Sequence, residues 1–203
     1  MATTSPKQWA AMNNLTFDEE SHIYRLDGEI IPSVTQILKG AALTPPFRGG
    51  SGIAMTKGSF AHLATELDDK GELDEATVDP ANLGHLEAWR KFKVESGIEI
   101  LAIEERVHND LYRYAGTLDR RVLYQGRESI IDIKTGQTYP WHPIQTAAYA
   151  LALGKPVSRF SVYLSDSGSY KLEEHTDSHD TLVFMAAIRL ADWRSENGII
   201  EEE

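Results

Sequence analysis

The 203-residue chain contains no cysteine. This absence excludes disulfide scaffolds, cysteine-ligated zinc or iron–sulfur centres, and thiol nucleophiles. Long apolar runs are also missing, since no stretch approaches the roughly 18 residues that a transmembrane helix needs. The first residues lack the apolar core of a signal peptide. We therefore expect a cytoplasmic protein without membrane association.

Basic residues are scarce relative to acidic ones. The chain has 20 Lys and Arg against 31 Asp and Glu, a formal net charge of −11. This balance argues against a nucleic-acid ligand, because phosphate binding favours a basic surface. The charge is uneven, however: between Glu29 and Glu66 the charged residues are only Lys39, Arg48 and Lys57. One face of an acidic protein can therefore still tolerate a polyanion.

Several motifs of nucleotide-binding proteins and hydrolases are absent from the sequence. The glycine-rich stretch before Lys57 lacks the Gly-Lys-Ser/Thr order of a phosphate loop. There is no Gly-x-Gly-x-x-Gly, no His-Glu-x-x-His and no Gly-x-Ser-x-Gly. These absences remove the common dinucleotide, metalloprotease and serine-hydrolase interpretations.

Composition and periodicity predict one folded domain over residues 1–203. Hydrophobic residues make up 41% and charged residues 25%, as is typical of globular proteins. Residues 1–57 predict a hairpin, a short helix and a lid, and residues 58–203 predict the core. Strands are predicted at 99–107, 112–124, 128–134, 157–164 and 170–174, and helices at 57–70, 80–96, 143–153 and 180–196. The expected fold class is α/β (α+β), with a central mixed, mostly antiparallel sheet flanked by helices.

The most informative stretch is 130–134, an apolar strand (IIDIK) that carries two charges. Strand alternation places the Asp132 and Lys134 side chains on one face, about 7 Å apart, and directs Ile133 to the other. Burying these charges is costly unless they are paired. The two charges either form an ion pair at the sheet edge or flank a metal ion, and spacing alone favours the ion pair.

Two polar pairs have i, i+4 spacing, which puts each pair on one face of a predicted helix. His62 and Glu66 lie beside an apolar stripe, where a packed histidine competes with a metal-ligand role. Gln145 and Tyr149 form an ordinary contact at a helix start, or they present polar groups to phosphate or to Lys134. The sequence leaves both alternatives open for both pairs.

These features resemble one family when they are taken in order along the chain. The ordered set resembles the PD-(D/E)XK nuclease superfamily, and specifically its RecB-like exonuclease branch. Residues 31–38 resemble the opening of phage nucleases related to the mitochondrial genome-maintenance exonuclease. The resemblance covers about residues 15–165, and Leu118 stands in place of the proline in the superfamily name. The motifs that carry it are His62-x-x-x-Glu66, Glu104, Gly116-x-x-Asp119, Asp132-Ile-Lys134 and Gln145-x-x-x-Tyr149.

The resemblance implies a restriction-endonuclease-like core and metal-dependent hydrolysis of DNA from its ends, in phage recombination or replication. Mg²⁺ or Mn²⁺ would suit the oxygen and imidazole donors. Asp119 and Asp132 would be the metal carboxylates, joined by the backbone carbonyl of Ile133 and by His62. Lys134 would orient the attacking water, stabilise the phosphorane charge or act as a base.

Further residues are implied to support this centre. Glu66 and Glu104 would be additional carboxylates near the metal, with Glu104 preferred over Glu105 on the spacing of the family. Gln145 and Tyr149 would contact phosphate or hold the catalytic lysine.

The expected nucleic-acid contacts lie outside the metal centre. The segment 41–56, rich in glycine and proline, is a candidate lid that guides a strand with Arg48 and Lys57. Trp141 and His142 either stack on a base or pack in an ordinary loop. Expected partners are single-stranded or duplex DNA ends and a recombination or single-strand-binding protein. The alternatives are an inactive nucleic-acid-binding module on the same fold and an acidic protein that avoids nucleic acid.

Overall fold

The fold contains eight strands and five helices in the residues that the structure describes. This computed structural model describes residues 14–44 and 52–199, without the side chains of residues 52–57. The elements are β1 (Leu15–Asp18), β2 (Ile23–Leu26), β3 (Glu29–Ile31), α1 (Val34–Gly40), α2 (Gly52–Lys70), a 3₁₀ turn (Glu75–Thr77), α3 (Pro80–Ser96), β4 (Glu99–Asn109), β5 (Tyr114–Tyr124), β6 (Arg127–Thr135), α4 (His142–Leu153), β7 (Ser158–Leu164), β8 (Tyr170–Glu174) and α5 (His179–Glu196).

The strands form two sheets. The larger sheet has the order β4-β5-β6-β7-β8, and the smaller antiparallel sheet has the order β1-β2-β3. Strands β6 and β7 pair in parallel, while the other neighbours in the large sheet pair antiparallel. A parallel pair needs a crossover connection, and α4 supplies it. The predicted mixed, mostly antiparallel sheet flanked by helices is therefore confirmed.

Strand β6 lies between two apolar layers. Ile130 packs in a cluster with side chains of α1, α4 and α5. Ile131 and Ile133 pack on the opposite side with Trp89 and Phe92 of α3. Alternate residues of a strand face opposite sides of the sheet, so both sides of β6 are covered and Asp132 is drawn into the interior.

Local signals in the sequence fix several helix ends. The Ser33 side chain accepts from the Gln36 N–H and the Gln36 side chain accepts in return, which makes a capping box at the start of α1. Asp79 accepts from the Ala81 N–H at 2.8 Å before the first turn of α3. That helix ends at Gly97, whose φ of 63° lies in the left-handed region that glycine tolerates.

The predicted loop over residues 41–56 is wrong in its last part, because α2 begins at Gly52. Lys57 belongs to α2, as the predicted helix over 57–70 has it, and its side chain lies outside the described residues. Arg48 also lies outside them. Within residues 14–44 and 52–199, no helix has the length and apolar character needed to cross a bilayer.

Candidate active site

The candidate site begins where β5 and β6 separate. Their antiparallel pairing extends as far as Arg120 opposite Ile131. Asp119 and Asp132 occupy the next opposed positions, and opposed residues of an antiparallel pair share a face. There the N–H of Ile133 donates at 2.6 Å to Oδ2 of Asp119. The Asp119 carboxylate thus accepts the hydrogen bond that a backbone carbonyl of the paired strand would otherwise accept. The two aspartates lie together where the strands separate.

Asp132 is buried and pairs with Lys134. Only 2% of Asp132 is exposed, and Nζ of Lys134 lies 2.8 Å from its Oδ2. Ser161 Oγ lies 3.5 Å from the same oxygen. Burial raises the pKa of Asp132 to about 6, with a further contribution from the charge of Asp119 and opposition from Lys134. The ion pair between Asp132 and Lys134 that the spacing predicts is therefore formed. The Asp119 carboxylate lies beside this pair and is not part of it.

Lys134 is held from three directions. Besides Asp132, its Nζ donates to Oε1 of Gln145 at 2.8 Å and lies 5.4 Å from the centre of the Trp141 ring. Gln145 in turn donates from Nε2 to the Tyr149 hydroxyl at 3.0 Å. Of the roles considered for Gln145 and Tyr149, the observed contacts are those that hold Lys134, through the first turn of α4.

Gly116 makes room for this arrangement. A Cβ at Gly116 would lie 2.7 Å from Cε1 of Tyr149 and 3.2 Å from Cγ2 of Val34. Tyr149 is buried, and burial raises its pKa well above the usual value, so its hydroxyl stays protonated. The glycine is therefore required by a close approach of the Tyr149 ring to β5.

His62 reaches the site from α2. Its Nδ1 lies 3.7 Å from Oδ1 of Asp119, and a third of its side chain is exposed. Glu66, one turn later, pairs instead with Lys70 at i, i+4. His62 and Glu66 thus lie on the same helix, α2, as predicted. Of the two, only His62 contacts an aspartate of the site.

Glu104 enters the site from β4 with an unusual backbone. Ile103 pairs with Arg120 and Glu105 pairs with Leu118, so Glu104 lies opposite Asp119. Its φ of 49° is in the left-handed region, which is strained for a residue other than glycine and is typical of functional positions. Burial, then repulsion by Asp119, raises the pKa of Glu104 to about 8 against the effect of Arg120.

The neighbouring Glu105 is directed elsewhere. It forms an ion pair with Arg121 at 2.6 Å, and Arg121 also pairs with Glu128. Strand alternation separates Glu104 from Glu105, and the structure brings Glu104 rather than Glu105 to Asp119.

His142 and Trp141 differ in their placement. His142 is 3% exposed, and its Nδ1 lies 2.8 Å from the Tyr163 hydroxyl. Burial lowers its pKa to about 4, so the ring is neutral at pH 7. Of the two alternatives for His142, stacking on a base or packing, the observed contacts are those of a packed core side chain. Trp141 is only partly buried and stacks on Tyr139, with ring centres 6.3 Å apart.

Arg120, the residue after Asp119, was not predicted from the sequence as a site residue. Its side chain is fully buried and pairs with Asp69 of α2 at 2.7 Å and with Glu104 at 3.1 Å. A charged residue at a buried position of a strand is the signal that could have indicated it, since Arg120 alternates with Leu118 and Val122.

The donor set fits a divalent cation in its chemistry. Carboxylate oxygens and one imidazole suit Mg²⁺ or Mn²⁺. Repulsion by Asp119 contributes to the raised pKa of both Asp132 and Glu104, so a positive charge would be favoured among them. Within the described residues, no three His, Asp or Glu side chains are already grouped to hold a metal ion. An ion would therefore have to draw these groups together.

Comparisons with known proteins support the fold. No protein-family model and no curated protein matches the chain. The structure of a candidate exonuclease from Eubacterium rectale aligns with this one over 84% of this chain and 83% of the exonuclease, at 12% sequence identity and a TM-score of 0.53. LHK-Exo in complex with dAMP matches 83% of this chain with 93% of its own, at 15% identity and a TM-score of 0.41. LHK-Exo, an alkaline exonuclease from Laribacter hongkongensis, also matches 68% of this chain with 92% of its own, at 12% identity and a TM-score of 0.36. The last two scores are too low to carry an argument, whereas the first shows a shared fold.

Proposed function

We propose that this protein is a metal-dependent deoxyribonuclease that hydrolyses phosphodiester bonds from DNA ends. The observation that carries the proposal is the convergence of Asp119, Asp132 and Lys134 where β5 and β6 separate. The 2.8 Å ion pair of Lys134 with Asp132 puts a cation beside carboxylates that repel one another. The RecB-like phage exonuclease branch remains the specific assignment that the sequence motifs favour.

The residues proposed to hold Mg²⁺ or Mn²⁺ are those with suitable donors at the site. They are His62, Asp119, Asp132 and the backbone carbonyl of Ile133, with Glu104 beside them. When bound, such an ion activates water and neutralises charge on a phosphoryl group. Glu66 is proposed as a further carboxylate near the metal, although it is paired with Lys70.

Lys134 is proposed to position the attacking water and to stabilise negative charge on the phosphorane. Its ammonium is directed by Asp132 and Gln145, and the Tyr149 hydroxyl fixes the Gln145 amide. Preorganised donors of this kind do not have to reorganise during the reaction. Tyr149 therefore acts on the reaction through Gln145, and Gln145 acts through Lys134.

DNA contact is proposed to involve Trp141, with Arg48 and Lys57 binding the phosphate backbone. The Trp141 ring lies beside Lys134, so a base stacked on it would bring its phosphate near the ammonium. With a net charge of −11, the protein would depend on this local region and on the bound cation to accept a polyanion. The cytoplasm, phage recombination or replication, and a recombination or single-strand-binding partner belong to the same proposal.

The test uses the purified full chain with end-labelled linear DNA, single-stranded or duplex, and with closed circular DNA. Mn²⁺ or Mg²⁺ should support release of nucleotides from linear DNA, and chelation should stop it. Lys134→Ala should lower the rate by roughly 10²-fold or more. Lys155→Ala is the matched control, because Lys155 pairs with Glu128 at the surface. If no linear DNA is degraded with either metal, the proposed activity is wrong.

A second candidate is an inactive nucleic-acid-binding module on this fold. It is favoured by the absence of a preformed group of three metal-ligand side chains among the described residues. This candidate predicts DNA binding without cleavage, unchanged in Asp132→Asn. A low-salt gel shift beside the cleavage assay separates the two candidates, and it also identifies a protein that avoids nucleic acid altogether.

A further inference from the structure

Arg120 has the most connected buried side chain near the site. Its side chain is fully buried, and its Nη1 donates to the backbone oxygen of Asp119 at 2.6 Å. The same nitrogen donates to Oε1 of Glu104 at 3.1 Å, while Nε donates to Oδ2 of Asp69 at 2.7 Å. Nη2 reaches Oγ1 of Thr65 at 3.4 Å. One guanidinium therefore joins β4, β5 and α2.

The partners of Arg120 on α2 follow His62 closely. Thr65 is three residues later and Asp69 seven residues later, so the three share one side of the helix. Thr65 also donates to the backbone oxygen of His62 at 2.8 Å. Arg120 therefore contacts α2 on the side of the helix that carries His62.

Asp69 is in turn held from α3. The Nε1 of Trp89 lies 3.0 Å from each Asp69 oxygen, and Lys93 pairs with the same carboxylate. The Trp89 ring also lies under Arg120, 5.6 Å from its guanidinium carbon. The Asp69 side chain is itself fully buried, so contacts from α3 fix the carboxylate that Arg120 binds.

On the other side, Arg120 contacts two groups of the candidate site. It binds the backbone of Asp119 and the side chain of Glu104, the residue with a φ of 49°. The strained backbone of Glu104 needs a partner that outweighs it. A bond from a charged donor is among the stronger hydrogen bonds available for this purpose.

We propose that Arg120, anchored by Asp69, is a positioning residue that sets His62 against Asp119 and holds Glu104 in the site. The proposal rests on the proposed nuclease function for its effect on metal and rate. Its structural content, the placement of His62 beside Asp119, does not depend on that function.

A role in stability alone is the competing explanation. Buried ion pairs are weak evidence for stability, because desolvation offsets much of their attraction. The two explanations differ in what a folded variant does. A purely structural pair lowers the melting temperature and leaves the site intact, whereas a positioning pair alters the site in protein that is still folded.

The variants are Arg120→Lys and Asp69→Asn, with Arg159→Lys as control. Lysine keeps the charge but cannot bridge several acceptors, because it lacks the planar fork of arginine. Asparagine keeps the shape of Asp69 and its contact with Trp89. Arg159 is also buried and binds a carboxylate and backbone oxygens, but its partners, Asp180 among them, are not on α2, β4 or β5. Because one of them is the Pro143 oxygen in the first turn of α4, Arg159→Lys is the control for the His62 readout alone.

The first readout needs neither metal nor activity. The imidazole nitrogen resonances of His62, assigned with His62→Gln, report its neighbourhood at a fixed pH. Asp119→Asn removes the carboxylate beside His62, so its spectrum shows where the His62 resonances lie when that neighbour is lost. In Arg120→Lys the resonances should move toward that reference, with a smaller move in Asp69→Asn and none in Arg159→Lys. Unchanged resonances in folded Arg120→Lys overturn the proposal.

The second readout is Mn²⁺ affinity from electron paramagnetic resonance without DNA, with kcat and KM measured in parallel. Loss of a residue that orients metal ligands lowers affinity or rate by roughly 10–100-fold. We expect that loss for Arg120→Lys in kcat and Mn²⁺ affinity, with KM for DNA within about twofold and the surface control Lys155→Ala unaffected.

The outcomes separate the two proposals. If the unmodified protein neither binds Mn²⁺ nor cleaves DNA, the proposed function fails, and the His62 resonances still decide the role of Arg120. If Arg120→Lys keeps Mn²⁺ affinity and kcat within twofold while folded, the positioning role fails. Loss of cooperative unfolding in both variants also overturns it, because the network would then serve the fold alone.

Discussion

Replacing Gly116 with alanine should disturb both stability and the placement of Lys134. The added Cβ would lie 2.7 Å from the Tyr149 ring and 3.2 Å from Val34. Both neighbours are buried, at 5% and 1% exposure, so neither can swing into solvent. Overpacking of this kind costs about 1–3 kcal/mol. For a chain of this length each kcal/mol lowers the melting temperature by about 2–4 °C, so a fall of roughly 2–12 °C follows.

The displaced Tyr149 ring should also affect the site. Its hydroxyl accepts from Gln145, which accepts from Lys134. We therefore expect Gly116→Ala to lower kcat more than Tyr149→Phe, because the phenylalanine variant loses the hydroxyl but leaves β5 unchanged.

Urea denaturation of Gly116→Ala, Tyr149→Leu and the double variant Gly116→Ala/Tyr149→Leu tests whether the clash with the Tyr149 ring causes the loss of stability. Leucine removes the ring atom that the new Cβ would meet, so the double variant should be more stable than the sum of the single losses predicts. Residues in contact show coupling of about 0.5–3 kcal/mol. Additive losses, or a Gly116→Ala variant as stable as the unmodified protein, would refute the close-approach argument.

The remaining predictions concern pH, metal and the buried histidine. The pKa values of Glu104 and Asp132 are raised to about 8 and about 6, so the metal-free folded state binds protons more readily than the unfolded chain. The urea midpoint should therefore rise as pH falls from 8 toward 5. Glu104→Gln should flatten that rise at the high-pH end, where Glu104 takes up its proton. Mn²⁺ at about 100 times its Kd should stabilise the protein by about 2.7 kcal/mol, a shift that Asp119→Asn should reduce in a thermal melt. Tyr163→Phe should cost about 1–3 kcal/mol in urea, since it removes the closer of the two partners of His142 Nδ1 and leaves only the longer contact with the Tyr139 N–H. DNA cleavage should stay within about threefold, and a large loss of cleavage would restore a direct role for His142.

Local patterns predicted most of the elements. Pro80 after Asp79 marked the start of α3, and Gly97 marked its end, because caps depend on adjacent residues alone. The period-two alternation of β6 placed Asp132 and Lys134 on one face, and the ion pair between them has the distance of a direct contact. These features required no knowledge of distant parts of the chain.

The start of α2 was not predictable in the same way. Glycines at 49, 50 and 52 favour a loop, because glycine lowers helix stability by about 1 kcal/mol relative to alanine. Packing outweighs that preference: a Cβ at Gly58 would lie only 3.3 Å from Oγ1 of Thr135, so α2 approaches β6 closely. Tertiary contact of this kind leaves no signal in a local window.

Side-chain partners over long separations were also beyond the sequence. Helical spacing paired Glu66 with His62, yet the same spacing offers Lys70, and the structure forms that ion pair. The role of Arg120 depends on Asp69 and Glu104, which are 51 and 16 residues away. Only the fold brings these groups to one guanidinium.

The distribution of unfavourable features argues for the location of the site independently of any motif. Many charges in the described residues are paired, and α1 and α3 are capped by local signals. By contrast, a buried Asp132 and repulsion from Asp119 that raises the pKa of both Asp132 and Glu104 occur side by side in the middle of β4, β5 and β6. Sequences usually satisfy local and global preferences together, and they depart from this rule mainly where function requires it. Folding alone gives no reason to concentrate these costs, whereas a centre that awaits a cation and a phosphate does.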